Sequence, residues 1–148
     1  MKFETLTPEI LANIPDSELE NILYEFVWTK FESNWNQHVT ILSTLPLPAQ
    51  VIYYTMVLEG EVRNGGFDQY FFNTSQSEES PETTLELLER IGAHEHSRIL
   101  ETAINIHRRN EHDSALYELD YEFYALKENL SNLRIRFVRD NLHVFAMR

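Results

Sequence analysis

Residues 48–73 read PAQVIYYTMVLEGEVRNGGFDQYFFN, a pattern that points to helix on helix. Between residues 48 and 63, Val51, Ile52, Tyr54, Met56, Val57, Leu58 and Val62 point nearly all round a helix. A helix that is apolar on every side is usually buried in the middle of its domain. Asn64-Gly65-Gly66 then breaks it, because two adjacent glycines favour a left-handed C-cap and a sharp turn. A short aromatic helix follows over 67–73. Just ahead, Leu45-Pro46-Leu47-Pro48 punctuates the chain.

Working outward, the period stays helical. Thr7-Pro8-Glu9 reads as N-cap, N1 proline and first-turn acid of a short helix ending before Pro15. Asp16 or Ser17 caps a second helix with Leu19, Ile22, Leu23, Phe26 and Val27 on one stripe, while 34–44 fits either a short helix or a loop. Residues 74–80 are polar and read as an exposed loop. Ser80-Pro81-Glu82 starts the next helix, which runs to Gly92, and another spans 94–109. Leu119, Phe123, Leu126, Leu130, Leu133 and Phe137 then recur at helical spacing, with a break near Asn129. Only 142–145 could read as a strand. The expectation is an all-α fold of about seven helices in one compact domain over 1–148.

At 148 residues the chain is long enough to bury a real core. It contains no cysteine, which excludes disulfides, thiolate metal sites and cysteine nucleophiles and suits a reducing cytoplasm. The start, MKFETLTPEIL, has no uninterrupted apolar core and predicts no signal peptide. The most apolar run, 51–58, is far below a membrane-spanning length. The reading is cytoplasmic, without membrane contact.

Charge is the strongest compositional feature. Twenty-four acids against twelve Lys and Arg leave −12, which disfavours direct nucleic-acid binding and favours a basic partner. Glu18, Glu25 and Glu32 recur at sevens beside the stripe of the second helix, drifting only about 20° per step. Glu82, Glu86 and Glu89 share one flank of the helix after Ser80, with Glu78 and Glu79 just ahead. Successive carboxylates along such a row rise by about 5–6 Å and can imitate backbone phosphates. Arg108, Arg109, Arg134, Arg136, Arg139 and Arg148 form the opposing feature, a basic strip toward the end of the chain.

No catalytic constellation assembles. His94 and His96 alternate across a helix, His107 and His112 straddle a helix end, and no His-Glu-x-x-His spacing occurs. Ser75, Ser77 and Ser80 lack the nucleophile-elbow glycines, and Ser80 is better used as a cap. Gly65-Gly66 has neither dinucleotide-binding nor phosphate-loop spacing. Asp120 and Glu122 could pose as a carboxylate pair, but Asp120 reads as a cap of the C-terminal helix. The expectation is a non-enzyme with no metal and no cofactor.

The run from Leu58 to Asn73, with Glu61, Val62, Asn64, Gly65, Gly66, Phe67, Gln69, Phe71 and Asn73 in register, resembles the signature of the DNA-mimic protein family. Leu88-x-x-Ile91-Gly92-Ala93 and Leu119-Asp120-x-x-Phe123-Tyr124 resemble further landmarks in the same order, so the similarity covers about 45–145. The resemblance implies an all-α fold and an acidic homodimer that imitates double-stranded DNA and occupies the DNA-binding surface of a helix-turn-helix transcription factor. The motif itself reads as architectural. Gly65 and Gly66 make the turn, Asn64, Gln69 and Asn73 bond the local backbone, and the aromatics pack inside.

The resulting expectation is an acidic module that competes with DNA for the basic surface of a DNA-binding protein. An immunity protein neutralising a basic nuclease would use a similar surface. A small-molecule-binding domain or enzyme would instead need Asn64, Gln69 and Asn73 to line an open pocket.

Overall fold

Thr7 opens the helical order. The Ile10 amide donates to its hydroxyl at 3.2 Å, capping α1 (Pro8–Ala12) with Pro8 in the first turn. The computed structural model describes residues 3 and 5–145. α2 (Asp16–Phe31) follows, and 34–44 proves to be a 3-10 turn, η1 (Trp35–Gln37), running into α3 (His38–Thr44). Next come α4 (Leu47–Ser77), α5 (Pro81–Arg90), α6 (His94–Arg109), α7 (Ala115–Ala125), α8 (Leu130–Asp140) and a 3-10 turn, η2 (Leu142–Phe145). The fold is all-α, with eight α-helices and no strand among the described residues. The segment 142–145 is therefore helical rather than extended.

The described residues divide into two compact units, one formed by those up to 53 together with 131–145, the other by 54–130. In the first, α2 buries Leu19, Leu23, Val27 and Phe31, and Tyr53 stacks on Tyr24 with ring centroids 5.9 Å apart. Each fully buried side chain of this kind contributes about 1.5–3 kcal/mol. Arg134, only 3% exposed, donates from Nε to Glu20 Oε2 at 2.5 Å, and the Ser131 hydroxyl bonds the same carboxylate. Arg139 donates to the Leu11 and Ile14 carbonyls at 2.7 and 2.6 Å and to Asp16 Oδ1 at 2.7 Å.

These bonds correct two expectations. Neither Asp16 nor Ser17 caps α2. Pro15 holds that position without a side-chain bond, and Asp16 serves Arg139. The basic strip also dissolves. Arg134 and Arg139 are consumed internally and Arg108 pairs with Glu82, while Arg109 and Arg136 are exposed. Arg148 lies outside the described residues.

In the second unit α4 continues through Ser77, so residues 74–77 are helix and not the exposed loop expected. Thr74 can be buried there because its hydroxyl donates back to the Tyr70 carbonyl at 2.9 Å. Glu78 takes the left-handed position (φ 63) that ends the helix, and the Glu79 amide donates to the Thr74 carbonyl at 3.1 Å. Gly92 (φ 81) ends α5 in the same manner, with the Ala93 amide on the Leu88 carbonyl at 2.9 Å. Ser80 sits at the N-cap of α5, yet its hydroxyl donates to Glu82 Oε1 at 2.9 Å and caps no amide.

Candidate functional site

The glycine pair breaks α4 into two arms, as the sequence predicts: both glycines leave helical geometry and helix resumes at Phe67. Gly65 lies at φ −148, ψ 16 and Gly66 at φ 77, ψ −176, a combination open essentially to glycine alone. A β-carbon on Gly66 would fall 2.3 Å from Asp120 Oδ2, and one on Gly65 would fall 2.9 Å from Gln69 Cβ. The kink strands backbone groups on both sides, and α7 meets them. Asp120 Oδ1 accepts from the Phe67 amide at 2.8 Å, and the Tyr124 hydroxyl donates to the Val62 carbonyl at 2.7 Å. Residues 120 and 124 lie four apart, so one face of α7 splints the kink. Phe123 packs edge-on against Phe67, with centroids 5.8 Å apart.

Asp120 thus caps the second arm of α4 and not the C-terminal helix. Burial raises its pKa, the Phe67 amide opposes that rise, and the charge of Asp68 adds to it. The polar members of the motif bond to one another rather than to backbone. Asn64 Nδ2 donates to Gln69 Oε1 at 3.2 Å, and Asn73 Nδ2 donates to Glu61 Oε2. Gln69 also borders a groove of about 370 Å³ with Asp68, Phe72, His107 and Glu111, but Asn64 and Asn73 do not line it.

A second carboxylate acts in the same way on α6, whose N-cap residue, Ala93, offers no side-chain acceptor. Glu128 accepts from the Glu95 and His96 amides at 3.2 and 2.9 Å, and His96 Nδ1 lies 2.7 Å from its Oε1. Burial opposes the Glu128 charge, but the bonds from His96 and Glu95 outweigh it and hold the carboxyl below its ordinary value.

The predicted acidic rows separate by exposure. Glu18, Glu25 and Glu32 are exposed on α2 and at its C-cap, as are Glu86 and Glu89 on α5 and Glu78 between helices. Glu82 is half-buried and paired with Arg108, which offsets its charge. Glu79 is only 8% exposed and lies close enough to Tyr54 and Tyr70 to help raise both phenol pKa values, though burial is the larger cause for each. It therefore drops out of any surface row. The exposed pair Trp28 and Trp35 beside Glu25 and Glu32 is not singled out by the sequence pattern; the Glu25–Trp28 spacing is readable along α2, but Trp35 lies beyond that helix on η1, where helical spacing carries no information.

Among the described residues no three His, Asp or Glu side chains cluster as a metal would require, and no helix is long and apolar enough to cross a membrane. Fold and site define an all-α protein with carboxylates ranked on helix faces and a Gly-Gly kink splinted by a neighbouring helix. Residues 43–141, more than half of the chain, match the family model described as DMP19-like protein, and the chain belongs to that family. The matched span contains both the kink and its α7 splint. No curated protein and no solved structure matches the chain.

Proposed function

We propose that this protein is a non-catalytic binding module that presents helical carboxylates in place of DNA phosphates and competes for the basic surface of a DNA-binding protein, such as a helix-turn-helix transcription factor. The observation that carries this reading is the exposure of Glu18 and Glu25 on α2 and of Glu86 and Glu89 on α5, none of which enters an ion pair among the described residues. The net charge of −12 and the resemblance of residues 58–73 to the DNA-mimic signature support it. The partner's Lys and Arg, which would otherwise release counterions from DNA, engage Glu and Asp. The reading requires no metal or cofactor, and it places the protein in the cytoplasm.

The test starts from affinity capture in the native host, followed by competition between the purified partner, labelled duplex DNA and the protein at low and high salt. Competition should weaken steeply with salt, because many screened charge pairs contribute. Reversing Glu86 and Glu89 to Lys, or Glu18 and Glu25 to Lys, should leave helicity intact, since Lys and Glu have similar propensity, yet abolish displacement of DNA. If both variants fold and displace DNA like the parent, the mimic reading is wrong.

A further inference from the structure

We infer that the cleft formed by Glu25, Trp28, Phe31, Glu32 and Trp35 is an arginine-binding site, which takes the guanidinium of a basic protein partner between two carboxylates and an indole wall. This deepens the reading of a basic partner and rests on it. The cleft holds about 320 Å³, and Thr29 completes its lining. Its walls are aromatic and its rim is acidic. Trp28 and Trp35 are 39% and 43% exposed, unusual for the largest apolar side chains unless something covers them.

The indole wall is rigid and flat. Trp28 and Trp35 lie parallel within 4° at a centroid separation of 5.2 Å, too far apart for full overlap, and each stays about two-fifths exposed. Trp35 is backed by His38 at 3.8 Å, and Trp28 rests edge-on against Phe31 at 5.1 Å. The partner therefore meets a surface that is already ordered. The Thr29 hydroxyl donates to the Phe26 carbonyl at 2.6 Å, so the polar character of the cleft comes chiefly from the Glu25 and Glu32 carboxylates.

This combination selects the occupant. An anion is repelled by two carboxylates, and an apolar peptide would have to strip them of water without replacing it. A lysine ammonium satisfies the charge but holds its hydration shell against the ring. A guanidinium is flat, weakly hydrated and permanently charged, so it lies on aromatic carbon while its edge donors reach carboxylates. Carboxylates alone would serve a phosphate-like row, and the paired indoles add the anchor residue type that dominates protein interfaces.

The chain contains only two tryptophans, and both are in the cleft, so selectively excited indole emission reports on this site alone. The experiment titrates the full chain with Gly-Ser peptides carrying paired arginines, paired lysines or paired citrullines. The arginine peptide should change the emission saturably and shift both indole N–H resonances, with the lysine peptide weaker by about fivefold. Citrulline, flat but uncharged, should give no saturable change.

Changing Glu25 and Glu32 together to Gln should weaken the arginine peptide by about tenfold. Changing Glu101 and Glu118, exposed acids outside both proposed rows, to Gln removes the same charge and should leave affinity within about twofold. Equal losses from the two pairs would mean general charge attraction and overturn the site, as would an arginine peptide that moves neither emission nor indole resonances. Neither readout involves DNA, so a failure of the cleft is distinguishable from a failure of the mimicry.

Discussion

The Phe67 amide and the Asp120 carboxylate, 53 residues apart in sequence, meet at 2.8 Å across the kink of α4. The contact explains why the chain must be glycine at 66. A side chain there would occupy the place of the carboxylate that caps the following helix. Tyr124 takes up the Val62 carbonyl on the other side, so the bend is braced at both ends.

Gly66→Val should destabilise the protein by about 3 kcal/mol or more, combining backbone strain at φ 77 with the clash on Asp120. Gly60 is the internal control. It lies in the helical interior of α4 with nothing within 4 Å of an added β-carbon, so Gly60→Ala should stabilise by about 0.5–1 kcal/mol. Urea denaturation of both variants checks the pair.

At Asp120 the neutral isostere should outperform truncation. Asp120→Ala orphans the Phe67 amide and should cost about 1 kcal/mol, typical of a lost cap. Asp120→Asn keeps an acceptor and sheds a charge that burial and Asp68 penalise, so at neutral pH it should match or exceed the parent. Because the folded pKa is raised, that penalty is full above the folded value and fades as pH falls toward the ordinary 3.8. The stability gap between Asn variant and parent should close over that window, measured by denaturation at stepped pH.

Glu128 has the opposite sign. Its folded pKa lies below the ordinary 4.5, so its contribution is complete above 4.5 and disappears as pH falls through the folded value. Glu128→Gln should lower stability at neutral pH and flatten the acid limb of the pH profile. Hydrogen exchange at the Glu95 and His96 amides should quicken in the variant, since those donors lose a charged acceptor. Unchanged exchange there would show that α6 does not depend on this cap.

The Arg134–Glu20 pair tests the tie between α8 and α2. Arg134→Ala leaves a half-buried carboxylate without its guanidinium and should destabilise by about 3–5 kcal/mol. Arg134→Met together with Glu20→Gln should recover much of that loss, since the stranded charge is gone and the buried stem volume is kept. A double variant no better than Arg134→Ala would show that the ion pair itself, and not the avoidance of an orphan charge, holds α8.

Short-range pattern accounts for part of this architecture. The apolar stripe of α2, the Thr7-Pro8 start, the break at Gly65-Gly66 and the end of α5 at Gly92 are each set by residues within a few positions of one another. The exposure of Glu18, Glu25, Glu86 and Glu89 follows from the same period, because each lies off its helix's apolar stripe. How the remaining polar groups are satisfied depends on long-range packing. Asp120 and Glu128 cap helix starts 53 and 32 residues away, Arg134 and Arg139 turn inward to Glu20 and Asp16, and Glu79 is buried while Arg108 offsets Glu82. A buried donor accepts any carboxylate the packing brings within reach, and chain separation sets no preference among them, so no local spacing could have named these partners.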